Sequence, residues 1–234
     1  MASSTTAAHL SFRRPQVILF DVNETLLDMG PLKLAVTAAF GNPSAFRQWF
    51  GLLLQYSLVA TVTDRYFAFG TIADAALDMA ANMLDEKPLT LEEKHDITSL
   101  MTKLPPHPDV PEGLRRLRGA GYRLAAFTNS PPATLAEQLR HAGLADYFEH
   151  QLSIDAVGRY KPHLDTYRWA IQQAGVAPAE AMLVAAHGWD IAGALQAGLS
   201  AGFLARPGQT LYPLAPPPTC QAPTLTELAR QLAG

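Results

Sequence analysis

Short apolar runs that alternate with segments of helical pattern constrain the fold of this chain most strongly. Runs of this length are typical of strands buried on both faces. We predict strands at residues 17–20, 122–127, 181–186 and 200–204. We predict helices after or between them at residues 111–120, 132–142, 164–174, 189–197 and 224–232, with a proline-rich loop at residues 213–223. This alternation indicates an α/β fold with a doubly wound parallel sheet, a Rossmann-like core whose strands end at one edge.

One interval breaks this alternation. Residues 31–104 contain no convincing strand pattern, and helical segments are predicted there at residues 31–40, 44–60, 64–84 and 91–103. The proline-rich run at residues 105–108 is a stiff exit from this interval. We therefore predict an inserted all-helical cap domain at residues 31–104. The core domain would be formed by residues 15–30 and 105–234, after an N-terminal tail at residues 1–14.

Composition argues against several classes of function. The chain of 234 residues has a net charge of -3 and no basic run, which disfavours nucleic-acid and membrane-surface partners. Its single cysteine, Cys220, cannot form an internal disulfide. The apolar stretches are interrupted before they reach bilayer-spanning length, and the first residues lack a secretory-type apolar segment. We expect a soluble, cytoplasmic protein.

The first candidate for chemistry is Asp21, which directly follows the first predicted strand, with Thr25 four residues later. A carboxylate in this position can act as a nucleophile because backbone amides of the following turn can orient it. The alternative is an aspartate that caps a helix, and this motif alone leaves both interpretations open.

Further polar side chains follow other strands or lie in loops at the same predicted edge. Thr128 and Asn129 suit the binding of a carboxylate or a developing anion, although such residues are also common in turns. Lys161, fixed before a proline, could keep a carboxylate ionised, whereas an isolated lysine is usually exposed. His187 could orient a water and Asp190 could pair with the lysine, although a lone histidine is usually structural.

The order of these motifs resembles the haloacid dehalogenase-like superfamily and, within it, the type II 2-haloacid dehalogenases, also called L-2-haloacid dehalogenases. Asp-Val-Asn-Glu-Thr-Leu comes first, followed by Thr-Asn-Ser, by Tyr-Lys-Pro and by an aspartate after a further strand. The resemblance extends over residues 17–232. It includes the cap segment from Leu54 to Phe69, and Tyr167 six residues after the lysine.

The resemblance implies hydrolytic dehalogenation of short 2-haloalkanoic acids to 2-hydroxy acids, without a metal or another cofactor. Asp21 would displace the halide and form an aspartyl ester, which water would then hydrolyse. Lys161 and Asp190 would position and ionise Asp21, and Thr25 would support the acyl group. The resemblance also implies a haloacid as the small-molecule partner and a homodimer.

The same resemblance implies a set of substrate- and halide-binding residues. These are Asn23, Arg47, Thr128, Asn129, Tyr167, Leu54, Phe69 and Trp189. The polar members would hold the substrate carboxylate or the halide. Leu54, Phe69 and Trp189 would form an apolar wall that excludes water, although apolar residues on cap helices more often belong to the core.

A few positions depart from the family pattern. His187 stands where the subfamily usually has an asparagine, and Asn23 stands where it usually has a tyrosine. Phe50 occupies the place of a common halide-binding arginine, and Arg47, one helical turn earlier, could substitute for it. We predict that the imidazole of His187 takes a proton from water during ester hydrolysis. The alternative is a structural hydrogen bond.

The main competing function is a magnesium-dependent phosphatase or phosphonate-cleaving hydrolase of the same superfamily. Such enzymes share a general-acid aspartate at the position that Asn23 occupies here. The side-chain amide of asparagine cannot give up a proton at neutral pH, so it cannot act as a general acid. They also carry magnesium-binding carboxylates where this chain has Ala185, Ala186 and His187. A non-catalytic binding protein is a third possibility, which the retention of the whole polar set disfavours.

Overall fold

A parallel sheet forms the centre of the computed structural model, which describes residues 14–234. The strands lie in the order β3-β2-β1-β4-β5-β6, and every neighbouring pair is parallel. Their bounds are Val17–Phe20, Arg123–Thr128, His150–Ser153, Ala181–Ala185, Ser200–Leu204 and Cys220–Ala222 for β1 to β6. This order, in which the chain reverses direction beside the first strand, is that of a doubly wound sheet. The predicted fold class is therefore confirmed.

The helices divide into a group inserted after β1 and a group that alternates with the later strands. The inserted helices are α1 (Gly30–Phe40), α2 (Ala45–Val62), α3 (Phe69–Met83) and α4 (Leu91–Ser99). The others are α5 (Val110–Gly119), α6 (Pro132–His141), α7 (Leu164–Ala174), α8 (Gly188–Gln196) and α9 (Leu225–Ala233). Among the described residues, no helix has both the length and the apolar character needed to cross a bilayer. Residues 1–13 of the predicted tail lie outside the described part of the chain.

The central strand β1 explains why the apolar runs are so regular. Successive residues of a strand point to opposite faces, and all four residues of β1 are buried, so both faces of the sheet are covered. A strand with two covered faces needs apolar side chains at every position. Because β1 lies between β2 and β4, the residue that follows it, Asp21, emerges at the middle of the carboxyl edge.

The two outer strands are absent from the sequence-based prediction. β3 and β6 are short and carry polar residues, and β6 lies inside the segment predicted as a proline-rich loop. An edge strand pairs on one side only and is partly solvated, so it does not need a continuous apolar run. The start of α3 was also predicted too early, at residue 64. Asp64 has a positive φ of 51°, which a right-handed helix cannot contain.

The inserted helices are held against the core at the loop that precedes Lys161. The backbone N–H of Tyr160 donates to Thr61 Oγ1 at 3.0 Å, and its hydroxyl donates to the carbonyl of Phe67 at 2.6 Å. Arg159 and Asp64 form an ion pair at 2.8 Å beside these bonds. We propose that residues 31–104 act as a cap over the carboxyl edge, with the boundaries predicted from the sequence.

A pair of glycine substitutions in α5 tests how tightly this core is packed. A Cβ on Gly113 would lie 2.5 Å from Leu225 Cγ and 2.9 Å from the Leu225 carbonyl carbon, whereas Gly119 has nothing within 4 Å. We expect Gly113→Ala to lower the free energy of unfolding by about 1–3 kcal/mol, because overpacking forces α5 and α9 apart. Gly119→Ala should leave it unchanged or raise it by up to about 1 kcal/mol. Equilibrium urea unfolding measures both, and equal midpoints for the two variants would contradict the packing argument.

Candidate active site

Asp21, directly after β1, is buried with both carboxylate oxygens hydrogen-bonded. Oδ1 accepts a hydrogen bond from Lys161 Nζ at 2.8 Å. Oδ2 accepts one from Thr25 Oγ1 at 2.7 Å and lies 3.0 Å from His187 Nδ1. These residues come from three separate segments of the chain, which the carboxyl edge of the sheet brings together.

Lys161 lies between two carboxylates and is fully buried. Its ammonium donates to Asp21 Oδ1, to Asp190 Oδ2 at 2.7 Å and to the carbonyl of Phe127 at 3.2 Å. An ammonium has three donors, and all three are used. Tyr167 in turn donates its hydroxyl to Asp190 Oδ1 at 2.5 Å. The four residues therefore form one continuous network in which the position of each side chain is determined by the others.

The network shifts the pKa values of the two aspartates in opposite directions. Burial alone would raise the pKa of Asp21, but the charge of Lys161 and the hydrogen bond from His187 outweigh it and hold that pKa well below its ordinary value. Burial raises the pKa of Asp190 despite the charge of Lys161. Burial would lower the pKa of Lys161, but Asp190 and Asp21 raise it, so the ammonium stays charged. Asp21 is thus the more strongly ionised carboxylate, as a nucleophile must be.

His187 lies between two carboxylates as well. Its Nδ1 faces Asp21 Oδ2, and its Nε2 lies 3.0 Å from Glu24 Oε2. The ring of Trp189 stacks on it at 5.1 Å between centroids, and the ring of Phe50 lies 6.5 Å away. Burial lowers the pKa of His187, but the hydrogen bonds to Asp21 and Glu24 raise it to about 9.

The charge of His187 bears on the role predicted from the sequence. At neutral pH an imidazole with this pKa is protonated, and both of its nitrogens are donors. A protonated ring cannot accept a proton from water. The structure therefore does not support His187 as the general base in the resting enzyme, because Asp21 and Glu24 together stabilise its charged form.

The turn after Asp21 is held by backbone contacts from distant segments. Thr25 Oγ1 accepts a hydrogen bond from the N–H of Ala186 at 2.9 Å while it donates to Asp21. The guanidinium of Arg206 donates to the carbonyl of Thr25 through Nε at 3.2 Å and Nη2 at 3.0 Å. Arg206 is itself paired with Asp109 at 2.8 Å. These contacts hold the Thr25 hydroxyl in the position from which it donates to Oδ2.

A small cavity lies beside Lys161, under the cap. Its volume is about 120 Å³, and its lining residues are Leu54, Ser57, Leu58, Asn129, Lys161, Pro162 and Trp189. Asn129 Oδ1 accepts from the backbone N–H of Lys161 at 3.1 Å. Within residues 14–234 no acceptor is found for Asn129 Nδ2, which leaves this donor for a molecule in the cavity. Leu54, Asn129 and Trp189 thus lie where a bound substrate would contact them.

Other residues of the predicted binding set lie away from this cavity. Asn23 donates to Ser130 Oγ at 3.3 Å and accepts from Gln138 Nε2 at 2.9 Å, so protein partners occupy both ends of its amide. Thr128 Oγ1 accepts from the N–H of Ser130 at 3.1 Å. These side chains support the loop after β2, and their contact with a substrate stays a prediction.

Three more members of the predicted set are absent from the lining of this cavity, and their predicted roles stay predictions. Phe69 packs its ring on Tyr160 at 5.8 Å, behind the loop that carries Lys161. Tyr167 is fully buried and reaches the site only through Asp190. Arg47 makes no hydrogen bond or ion pair with any described residue of the site, and Phe50 is the residue of α2 that faces His187.

Glu24 and Arg206 are functional candidates that sequence reasoning missed. A glutamate in a turn and an arginine near a proline are usually solvated, so neither carries a signal of its own. Their roles depend on contacts with residues more than 160 positions away in the chain. The one available hint was that Glu24 lies inside the motif around Asp21.

A larger cavity of about 310 Å³ lies within the cap, between α2 and α3. It is lined mainly by apolar side chains such as Val59, Phe67, Ile72 and Met79. No residue of the network around Asp21 borders it, so it offers no catalytic group. The smaller cavity beside Lys161 is the candidate for substrate binding.

The arrangement at the carboxyl edge suits covalent catalysis by a carboxylate. It combines an ionised, oriented Asp21 with a small, mainly apolar cavity from which water is easily excluded. Across residues 14–234, no group of three or more His, Cys, Asp or Glu side chains is arranged to hold a metal ion.

Comparisons with known proteins give one family model and relatives of two kinds. The family model for haloacid dehalogenase-like hydrolases matches residues 15–198. An (S)-2-haloacid dehalogenase from Pseudomonas sp. (strain YL) is 29% identical over 224 residues, which cover 93% of this chain and 95% of that protein. A phosphoglycolate phosphatase from Colwellia psychrerythraea is 28% identical over 198 residues, covering 81% of this chain and 84% of that protein.

A solved structure resembles the protein over nearly its whole length. It is an L-2-haloacid dehalogenase from Xanthobacter autotrophicus with chloropropionic acid covalently bound, at a TM-score of 0.86 and 26% identity. The alignment covers 94% of this chain and 99% of that one. Since the family model also matches most of the chain, this protein belongs to the haloacid dehalogenase-like hydrolases.

Proposed function

We propose that this protein hydrolyses short 2-haloalkanoic acids to 2-hydroxy acids through an aspartyl ester on Asp21. The observation that carries the proposal is the buried Asp21 carboxylate, held ionised by Lys161, which itself lines a cavity of about 120 Å³. A cavity of this size takes a molecule of a few heavy atoms, well below the usual range of ligand pockets. The relatives named as (S)-2-haloacid dehalogenases support the same reaction.

In the first step, an oxygen of Asp21 attacks the carbon that carries the halogen, and the halide leaves with the bonding electrons. No proton moves, so the step needs orientation and an ionised carboxylate more than acid–base catalysis. Lys161 keeps the carboxylate ionised, and Asn129 Nδ2 is free to bind the substrate carboxylate or the halide. Leu54 and Trp189 line the cavity with apolar surface that excludes competing water.

In the second step, water attacks the carbonyl carbon of the ester. The oxygen of the hydroxy acid leaves, Asp21 returns as a carboxylate, and one proton passes to solvent. The buried network of Lys161, Asp190 and Tyr167 is unchanged by the reaction, because none of its members is consumed.

The magnesium-dependent phosphatase remains the second candidate, supported by the phosphoglycolate phosphatase relative. The site has one more carboxylate than it has cations, counting Asp21, Glu24 and Asp190 against Lys161 and His187. A phosphate dianion would meet net negative charge there. Lys161 also occupies the space between Asp21 and Asp190, and Tyr167 takes the remaining Asp190 oxygen. The donor set therefore favours a carbon electrophile over a phosphoryl group.

The proposal includes a cytoplasmic homodimer, as predicted from the sequence. On α2 the side chains of Val59 and Val62 are 44% and 82% exposed, beside the apolar cavity of the cap. An exposed aliphatic face of this kind is typical of an interface, and we propose that a second copy of the chain covers it. Light scattering should give twice the mass of the chain for the wild type. The double variant Val59→Glu/Val62→Glu should run as a monomer, and a monomeric wild type would contradict the proposal.

Asp21→Asn should reduce halide release to below about a thousandth of the wild-type rate, since the amide is a poor nucleophile. Circular dichroism should show an intact fold. Asp146→Asn, a substitution at an exposed acid, serves as the control and should release halide at the wild-type rate. In a single turnover of the wild type in oxygen-18 water, the label should enter Asp21. Label that goes directly to the product, with Asp21 unlabelled after many turnovers, would exclude the ester.

Dialysis against a chelator should leave the rate of halide release unchanged, because Lys161 supplies the positive charge beside Asp21. The measurement compares treated and untreated protein with chloro- and bromoacetate, and with small phosphate esters in the presence of magnesium. Activity that disappears with the chelator and returns with magnesium, or phosphate release faster than halide release, would favour the phosphatase.

A further inference from the structure

The two oxygens of Asp21 have different hydrogen-bond environments, which assigns them different roles. Each carboxylate oxygen has about two lone-pair sites for hydrogen bonds. Oδ2 uses both, one for Thr25 Oγ1 and one for His187 Nδ1, whereas Lys161 is the only donor to Oδ1 within residues 14–234. Only Oδ1 keeps a lone pair for attack on carbon. Oδ2 then remains as the carbonyl oxygen of the ester and becomes the oxyanion when water adds.

His187 is placed as a hydrogen-bond donor to that oxyanion. Its Nδ1 lies 3.0 Å from Oδ2, and Thr25 Oγ1 lies 2.7 Å away, within the usual range for oxyanion donors. At 3.0 Å there is no room for a water molecule between Nδ1 and Oδ2. The geometry therefore fits stabilisation of charge on Oδ2, and it does not fit removal of a proton from water.

Glu24 fixes the opposite side of the same ring, and it does so from a strained backbone. Its Oε2 lies 3.0 Å from His187 Nε2. Its φ is 64°, in the left-handed region that disfavours residues with a side chain. The carbonyl of Glu24 accepts a hydrogen bond from His107 Nε2 at 3.0 Å, which holds the turn. Strain that is retained beside a reacting group points to a function for the side chain.

The groups around His187 show why a carboxylate is needed there. Among the described residues, the charged groups that face the ring are Asp21 and Glu24, and Lys161 lies beyond Asp21. Phe50 from α2 and Trp189 from α8 face it with uncharged rings. When the ester forms, Asp21 loses its negative charge, and Glu24 is then the remaining anion in contact with the imidazolium.

We infer that Glu24 is a positioning residue for ester hydrolysis, which holds His187 as an imidazolium that stabilises the oxyanion on Asp21 Oδ2. The inference rests on the proposed function. Water adds to the ester carbon and loses one proton to solvent, and His187 keeps its proton throughout. The tetrahedral intermediate then collapses, the hydroxy acid leaves with the second proton of the water, and Asp21 is again a carboxylate.

Glu24→Gln tests the inference because it keeps the shape of the side chain and removes the charge. In the wild type, NMR titration should place the pKa of His187 near 9. In the variant, that pKa should fall by at least about one pH unit, as expected for loss of a contacting opposite charge. Ester hydrolysis should then decline at lower pH than in the wild type, since the donor form is lost as pH rises through the His187 pKa.

The two chemical steps should respond differently to the same substitution. At about pH 10, above both pKa values, ester hydrolysis in Glu24→Gln should be slower by about tenfold, which corresponds to a pKa change of about one unit. The burst of halide release should stay within about twofold of the wild type, and the ester should accumulate as added mass on the protein. Glu112→Gln, which removes an exposed carboxylate of α5, is the matched control and should change neither step.

A second variant covers the case in which glutamine disturbs the turn. Glu24→Gly suits the left-handed backbone, so the turn should keep its conformation and the variant should still accumulate the ester. If both variants slow the two steps equally, or leave the pKa of His187 unchanged, the role of Glu24 is overturned. If the wild type itself releases no halide from any haloacid, it is the proposed function that fails.

Discussion

The structure of the site depends on the buried ammonium of Lys161. Its three donors hold Asp21, Asp190 and the end of β2 in one arrangement, and no water is needed to complete it. Removing one member of a buried ion pair typically costs about 3–5 kcal/mol, because the partner is left charged and unsolvated. The same contact that stabilises the fold therefore also fixes the protonation state of the nucleophile.

The fold places this contact where the cap can control access to it. Lys161 follows Tyr160, whose backbone and hydroxyl are bound by Thr61 and Phe67 of the inserted segment. These two hydrogen bonds join the inserted segment directly to the loop that carries Lys161. Leu54 of the inserted segment lines the cavity of about 120 Å³ together with Lys161 of the core.

The departures of this chain from its family pattern are physically consistent with one another. Phe50 stands where an arginine is common, and its ring lies 6.5 Å from the ring of His187. A protonated imidazole beside an arginine would be repelled, whereas the uncharged ring of Phe50 brings no positive charge next to it. Glu24 completes this set by contacting the other side of the imidazole. The positive charge thus lies on the core domain, next to Asp21.

The sequence by itself determined the central strands, the inserted helices and the identity of Asp21, Thr25, Lys161 and Asp190. A strand buried on both faces requires an uninterrupted apolar run, and short motifs after such runs can be read locally. Edge strands β3 and β6 escaped this reasoning because a partly solvated strand has no such requirement. The contacts of His187 with Asp21 and Glu24 were decided only by the tertiary structure. Residues 24 and 187 are remote in the chain, and electrostatic interactions depend on distance in space and on burial, neither of which is written in the sequence.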